Sequence, residues 1–151
     1  MFDPLSKAGS LIRRLQQISL RIFNEGIQPY VLTTVQFGTL QVIADRPGID
    51  QISLAQASDI DRTTVMRVLH RLEEFQLVCR KPCPRDKRIN RVYITEQGRE
   101  LIVAVEPLAE ATQHRLLEPL DPEDRKAFMQ MLSRLVLTHS IPSTTTTQSH
   151  E

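Results

Sequence analysis

Near the start of the chain, every third or fourth residue is apolar. These residues are Ala8, Leu11, Leu15, Ile18 and Ile22. Such spacing puts them on one face of an α-helix. Asp3 followed by Pro4 is also a typical helix start. We therefore predict a first helix whose apolar face packs against another helix.

Two capping signals predict the next helices. Thr33 and Gln36 have the spacing of a capping box, and they open an apolar segment that Pro47-Gly48 ends. Ser53 and Gln56 have the same spacing. They predict a short third helix that begins at Ser53.

The fourth predicted helix has two different faces. Asp61 caps it after the tight link Ser58-Asp59-Ile60. Its apolar stripe, which we expect to be buried, consists of Val65, Val68, Leu69, Leu72 and Phe75. The cationic and small hydroxyl side chains then face outward. Two helices joined by such a short turn are typical of a helix-turn-helix, whose second helix enters the major groove of DNA.

The pattern becomes extended between residues 75 and 95. Leu77–Arg80 and Arg91–Ile94 are β-prone runs separated by a polar link, and they predict a hairpin with a basic tip. Thr95 is expected to cap a long helix, and Asp121-Pro122 to open a last one. Residues 142–151 include four consecutive threonines and almost no apolar side chains. They are predicted to form a disordered tail.

Together these elements predict a mainly α protein with a small β-hairpin wing, that is, a winged helix-turn-helix. The charge distribution adds a functional signal. The chain has a formal net charge of +1, but residues 62–95 hold nine basic and three acidic side chains, a net charge of +6. Residues 1–61 sum to −1 and residues 96–151 to −4. A local basic field of this kind attracts polyanions such as double-stranded DNA.

The fourth helix and the hairpin supply candidate DNA contacts. The candidates for the major groove are Arg62, Thr63, Thr64, Met66 and Arg67. Arg67 suits the two acceptors of guanine, and Met66 suits a thymine methyl group. The candidates for the phosphate backbone are Ser53, His70, Arg71, Arg85, Lys87 and Arg91. Asp86 is expected to support the wing by restraining one arginine through a charge-assisted hydrogen bond.

Several motifs in this region belong together. They are Arg62-Thr63-Thr64-Val65, Arg67, Arg71-Leu72-Glu73, Pro84-Arg85-Asp86-Lys87-Arg88, and Thr95 with Gly98. With these motifs the chain resembles the MarR family of winged helix-turn-helix regulators, and Asp86-Lys87-Arg88 is the most specific part. The resemblance implies a homodimeric repressor that binds a pseudo-palindromic operator and is released by a small aromatic or phenolic carboxylate. It also implies that Arg88 enters the minor groove.

The resemblance further implies how the chain is divided. Residues 1–30 plus 98–141 would form the dimerisation region from N- and C-terminal helices, and residues 31–97 the DNA-binding lobe. An effector pocket would lie among the first, second and fifth helices and that lobe. Its candidate residues are Arg14, Arg21, Tyr30, Gln36 and Phe37. Gln76 departs from the family pattern, which usually has a glycine there, so a non-glycine residue must adopt a left-handed conformation or the chain must leave the helix differently.

Two other functions remain open. One is a winged-helix protein-interaction module without sequence-specific DNA binding. The other is a cysteine-based redox-responsive regulator, suggested by Cys79 and Cys83. Along an extended segment these two Cα atoms would be about 13 Å apart, beyond the roughly 7 Å limit for a disulfide. A packing role for both cysteines is therefore favoured.

Other classes of protein lack support in the sequence. There is no P-loop, GxGxxG or GxSxG motif, so we expect neither an enzyme nor a cofactor. The four histidines have no metal-ligand spacing, so no metal site is expected. No signal peptide or spanning apolar run is present, which predicts a cytoplasmic protein without a membrane partner. The expected partners are double-stranded DNA, a second copy of the chain, and a small effector, an aromatic acid.

Overall fold

Six helices and three short strands make up the part of the chain that the computed structural model describes, residues 7–140. The helices are α1 (Ala8–Gly26), α2 (Thr34–Asp45), α3 (Gln51–Ser58), α4 (Arg62–Glu74), α5 (Glu96–Leu117) and α6 (Pro122–Ser140). The strands are β1 (Ile49–Asp50), β2 (Val78–Pro82) and β3 (Asn90–Ile94). The chain divides into two compact units, one ending at Leu116 and one beginning at Leu117. The predicted cap at Asp3 and the predicted tail 142–151 lie outside the described residues.

The capping signals predicted for the starts of α2 and α4 are confirmed. The Gln36 backbone N–H donates to the Thr33 hydroxyl at 3.1 Å, and the Gln36 side-chain oxygen accepts from the Thr33 N–H at 3.0 Å. The Asp61 carboxylate accepts from the Thr64 backbone N–H at 2.9 Å. These bonds satisfy N–H groups that have no partner inside the helix. The starts of α2 and α4 are therefore set by their own side chains.

The predicted start of α3 at Ser53 is wrong. The cap is Asp50, and the helix begins at Gln51. Ser53 instead donates to the Asp50 carboxylate twice, from its backbone N–H at 2.9 Å and from its hydroxyl at 2.7 Å. An aspartate three positions upstream offers an ionised acceptor to both groups of Ser53 and so takes the capping position.

The predicted hairpin is present as part of a three-stranded antiparallel sheet in the order β1-β3-β2. Val78 pairs with Ile94, and Pro82 pairs with Asn90. The third strand is β1, in which Ile49 pairs with Val92. A strand of two residues gives no alternating pattern, so the sequence did not predict it.

The core of the first unit lies where α2, α3, α4 and β3 meet. Its fully buried side chains include Leu40, Ile43, Leu54, Val65, Leu69, Leu72 and Val92. The buried stripe predicted for α4 is confirmed at Val65, Val68, Leu69 and Leu72, and Phe75 is half-buried against the same cluster. The opposite face of α4 is thereby fixed toward solvent.

Helix α1 joins this core only through its C-terminal part. Ile22 and Phe23 are buried, and the Phe23 ring lies 6.2 Å from the Phe37 ring. Near the other end of α1, Leu11 and Ile12 are 47% and 54% exposed. The predicted apolar face is therefore present, but the described part of the chain does not bury its N-terminal half.

Helix α6, in the second unit, starts at the predicted position. The Asp124 N–H donates to the Asp121 carboxylate at 2.9 Å. No residue of α6 is buried, although it carries several apolar side chains. The exposed ones are Met129, Met131, Leu135, Val136 and Leu137. Among the described residues, no helix is long and apolar enough to cross a membrane.

Two glycines offer a matched test of packing. A Cβ at Gly98 would lie 2.3 Å from the Leu77 carbonyl oxygen, whereas a Cβ at Gly38, within α2, would meet nothing within 4 Å. We expect Gly98→Ala to lower the free energy of unfolding by about 1–3 kcal/mol. Gly38→Ala should raise it by about 0.5–1 kcal/mol because alanine loses less backbone entropy in a helix. Urea unfolding followed by circular dichroism measures both, and equal effects of the two variants would contradict the packing described here.

Candidate nucleic-acid interface

Helices α3 and α4 are joined by a three-residue turn, as the sequence predicted. Asp59 has a left-handed backbone (φ 51°), and its N–H donates to the Ala55 and Gln56 carbonyls. Asp61 then caps α4, and Thr64 donates to it from both its N–H and its hydroxyl. The Thr64 hydroxyl hydrogen bond, together with that from the Thr64 N–H, lowers the pKa of Asp61 below its usual value. The cap is therefore ionised at neutral pH at the positive end of the helix dipole.

The outward face of α4 presents the predicted major-groove side chains. Arg62, Thr63, Met66 and Arg67 are all exposed. Thr64 is half-buried, and its hydroxyl hydrogen is already donated to Asp61 at 2.6 Å. The Thr64 oxygen can therefore only accept, which suits the amino group of a base and not a phosphate oxygen.

At the C-terminal end of the same helix, two side chains that were predicted to contact the DNA backbone lie beside one carboxylate. Glu74 accepts from the Arg71 guanidinium at 2.9 Å, and the His70 ring nitrogen lies 3.4 Å from it. The Arg71 guanidinium also lies over the Phe75 ring, 4.3 Å from its centroid. Both side chains are exposed but already contact neighbours on their own helix.

Gln76 adopts the left-handed conformation that its position requires, with φ 58°. Its N–H donates to the Glu73 carbonyl at 2.8 Å, and its own carbonyl accepts from the Thr95 hydroxyl at 2.7 Å. The same Thr95 oxygen accepts from the Gly98 N–H at 3.0 Å and so caps α5. One threonine thus joins the end of α4 to the start of α5.

A bidentate ion pair, which the sequence did not predict, holds β2 against α4. Arg80 donates to both carboxylate oxygens of Glu73, one of them at 2.8 Å. Both side chains are about three-quarters buried. This pair sets the angle at which the wing leaves the recognition helix.

The wing tip between β2 and β3 carries the predicted cations. Arg85, Lys87 and Arg88 are exposed. The sequence suggested that Asp86 restrains an arginine side chain. Instead, its carboxylate accepts from the backbone N–H of Arg88 at 3.0 Å. An aspartate commonly closes a turn on the N–H two residues ahead, and this short-range bond leaves the guanidinium groups free to reach outward.

Arg91 and Ser53 are placed differently from the other predicted phosphate contacts. The half-buried Arg91 donates to the Gly48 carbonyl at 2.9 Å and thereby ties β3 to the loop before β1. Ser53 is half-buried and bonded to Asp50. Both side chains are therefore less exposed than the other candidates and already donate hydrogen bonds within the protein.

The two cysteines are not bonded to each other. Cys83 is 4% exposed, and its thiol lies beside Arg91. The Arg91 side chain, followed by the backbone N–H groups of Asp86 and Arg85, lowers the pKa of Cys83. Its burial fits the favoured packing role.

Among the described residues, no group of three His, Cys, Asp or Glu side chains could hold a metal ion.

Two adjoining cavities of about 480 and 390 Å³ lie at the C-terminal end of α4, beside Phe75. They share Tyr30, Val31, Leu32 and Phe75. Of the five predicted effector residues, Tyr30 and Gln36 line the smaller cavity. The structure also places Arg71 there, which the sequence did not predict because the residue comes from a distant helix.

The other three predicted effector residues lie elsewhere in the single chain. Phe37 is buried against Phe23 and borders a separate hollow. Arg21 is exposed on α1 beside Leu20, and Arg14 is exposed further along the same helix. The structure therefore brings together two of the five residues and adds one.

Comparison with known proteins gives concordant matches. The model of the MarR family matches residues 32–89. Transcriptional regulator HosA of Escherichia coli O111:H- is 32% identical over 105 residues, which cover 70% of this chain and 78% of HosA. The HTH-type transcriptional repressor NicR of Pseudomonas putida is 29% identical over 135 residues, covering 89% of this chain and 85% of NicR.

A solved structure shows the same architecture. Bordetella bronchiseptica BpsR, whose DNA binding is regulated by 6-hydroxynicotinic acid, superposes with a TM-score of 0.83 at 29% identity. The match covers 89% of this chain and 96% of that one. The winged helix-turn-helix arrangement is therefore shared over most of both chains.

The left-handed conformation of Gln76 provides a stability test. Gln76→Gly should raise the free energy of unfolding by about 1 kcal/mol because glycine adopts this conformation without steric cost. Gln56→Gly, inside α3, is the matched control and should lower it by about 1 kcal/mol. Urea unfolding at one fixed protein concentration measures both. A loss of stability in both variants would show that Gln76 is not strained.

Proposed function

The chain belongs to the MarR family of transcriptional regulators, and from that premise we propose that it is a homodimeric repressor of a pseudo-palindromic operator. A small aromatic or phenolic carboxylate releases it. The observation that carries the proposal is the surface of residues 62–95, which has a net charge of +6 and exposes the recognition helix beside a basic wing. Neither enzymatic activity nor a cofactor is part of this function.

In the proposed complex, α4 lies in the major groove. Arg67 donates two hydrogen bonds to guanine O6 and N7, and Met66 contacts a thymine methyl group. Arg62 and Thr63 reach bases or phosphates near the helix start, and the Thr64 oxygen accepts from the amino group of a base. The fixed burial of the opposite stripe supports this assignment, because α4 cannot rotate these side chains away without exposing Val65 and its buried neighbours.

The wing supplies the second contact. Arg88 enters the narrow, electronegative minor groove. Phosphates are bound by Arg85 and Lys87 beside it, by His70 and Arg71 on α4, and by Ser53 and Arg91 at the inner edge of the surface. The Asp86 bond to the Arg88 N–H supports this role, because it fixes the backbone from which the guanidinium extends.

Base-reading and phosphate-binding residues predict different losses. Arg67→Ala should weaken binding to the preferred operator by about 1–3 kcal/mol and relax the base preference. Lys87→Ala should weaken all sequences alike and reduce the slope of log affinity against log salt by about 1. Fluorescence anisotropy with the duplex upstream of the gene, its single-base variants and a scrambled duplex measures both effects.

Two results of that experiment would contradict the proposal. Uniform losses from both substitutions would remove the division between base and phosphate contacts. Equal affinity of the unsubstituted protein for operator and scrambled duplex would leave only nonspecific electrostatics. It would then favour the alternative of a protein-interaction module.

A second copy of the chain would cover the exposed apolar residues of the terminal helices. Leu11 and Ile12 of α1 and Leu135 and Val136 of α6 are all about half exposed. Exposed apolar surface of this kind commonly marks an interface between proteins. A symmetric dimer would present two α4 helices about 34 Å apart, so that both enter successive major grooves.

Dimerisation can be tested on α6. Leu135→Asp should shift the protein from dimer toward monomer in sedimentation velocity and lower operator affinity by at least tenfold, because half of the paired contact is lost. Val35→Asp, which changes an exposed valine on α2, is the matched control and should stay dimeric. A Leu135→Asp dimer with unchanged affinity would contradict the assignment of α6 to the interface.

The two cavities at the C-terminal end of α4 are the proposed effector site. Tyr30 and Phe75 offer aromatic walls, and Gln36 offers a polar group whose oxygen is partly committed to the Thr33 cap. This combination suits a small aromatic acid, the class to which the ligand named for BpsR belongs. Arg14, Arg21 and Phe37 line neither of these cavities in one chain.

A further inference from the structure

The wing tip carries one branched aliphatic side chain among charged ones. Residues 84–90 include four charged side chains, and Ile89 directly follows Arg88. Ile89 is 42% exposed, whereas Cys83, on the other side of the tip, is 4% exposed. The tip therefore presents an apolar group next to the cation that we assign to the minor groove.

Both backbone polar groups of Ile89 are hydrogen-bonded within the tip. Its N–H donates to the Asp86 carbonyl at 3.0 Å, and its carbonyl accepts from the Cys83 N–H at 2.8 Å. The Asp86 carboxylate also holds the neighbouring Arg88 N–H at 3.0 Å. These bonds fix the backbone that carries the side chain. What Ile89 presents to a bound molecule is therefore its hydrocarbon surface.

In the minor groove, base pairs differ mainly by one chemical group. A·T and T·A pairs present only acceptors there, whereas G·C pairs add the amino group of guanine, which is a donor. A donor that a hydrocarbon side chain covers loses its water without gaining a partner, and this costs free energy. The guanidinium of Arg88 has donors and no acceptor, so it cannot satisfy that amino group either.

We infer that Ile89 makes the wing selective for A·T pairs, because its side chain covers the position at which guanine carries the minor-groove amino group. This inference rests on the proposed function, since it places the wing in the minor groove. It adds to the role of Arg88, which is attracted by the electronegative potential of a narrow groove. Apolar side chains, isoleucine included, enter the minor groove in other DNA-binding proteins.

Duplexes in which 2,6-diaminopurine replaces adenine test the amino group alone. Diaminopurine keeps the N7 acceptor and the N6 amino donor by which adenine is read in the major groove, and it adds a guanine-like amino group in the minor groove. The duplex upstream of the gene is prepared with either base, and the affinity for each duplex is measured by fluorescence anisotropy. Wild-type protein should bind the diaminopurine duplex about five- to tenfold more weakly.

Two substitutions separate Ile89 from other effects of the altered base. Ile89→Thr keeps a branched side chain and adds an oxygen that can accept from the amino group, so the loss should fall to about twofold. Ile89→Val keeps the apolar surface and should retain most of the wild-type loss.

The matched control is Ile52→Ala, which changes an exposed isoleucine on α3 and should show the wild-type loss. Thermal melts establish that each variant is folded. Each protein is compared with itself on the two duplexes, so a change of groove shape alone would weaken all four proteins equally.

Three results would overturn the inference. Equal binding of both duplexes by the wild type would show that no apolar group covers the amino position. Equal losses in the wild type and in folded Ile89→Thr would assign the effect to Arg88 or to groove width. Tighter binding of the diaminopurine duplex would show that an acceptor, such as the amide of exposed Asn90, reads the groove instead. The proposed function is decided separately, by the preference of the wild type for the natural duplex over a scrambled one.

Discussion

The structure depends on one helix whose rotation is fixed by the burial of a single face. Helix α4 buries Val68, Leu69 and Leu72 in the core formed with α2, α3 and β3. Full burial of such side chains contributes roughly 1.5–3 kcal/mol each. Rotating α4 would expose this stripe, so the core determines which side chains meet the solvent. The buried stripe therefore determines that Arg62 and Arg67 lie on the exposed face of α4.

Contacts near the C-terminal end of α4 position the wing. Glu73, on α4, pairs with Arg80 on β2. Thr95 joins the carbonyl of Gln76 to the start of α5, and Gly98 lets α5 approach the Leu77 backbone closely. None of these contacts involves the exposed arginines of α4 or of the wing tip. Their shared effect is to set the distance and angle between the recognition helix and the wing tip.

Sequence patterns predicted the parts of this arrangement that depend on neighbouring residues. The caps at Thr33 and Asp61 and the stripe of α4 are local, since three- and four-residue spacings determine them. The start of α3 was predicted incorrectly because Asp50 and Ser53 are both good caps, and the choice between them depends on the sheet that ends at Asp50.

These sequence patterns did not predict contacts between distant elements. Nothing in the sequence pairs Arg91 with the Gly48 carbonyl 43 residues earlier, or places Arg71 in a cavity with Tyr30. Of the predicted effector residues, the two that came together both lie near the start of α2, where chain proximity keeps them close. The less local a site is, the less of it a single sequence can specify.

The distribution of charge differs between the DNA-binding candidates and the rest of the chain. A net charge of +1 conceals a basic segment at residues 62–95, which the fold displays on α4 and the wing tip. Residues 96–151 carry nine acidic and five basic side chains. In the proposed complex, the phosphates of a duplex would attract the first segment and repel the second. Because phosphate contacts release counterions, this orienting force weakens as salt rises, while the contacts that read bases persist. In that complex, charge would bring the basic surface to DNA, and the buried stripe of α4 would determine which side chains meet the bases.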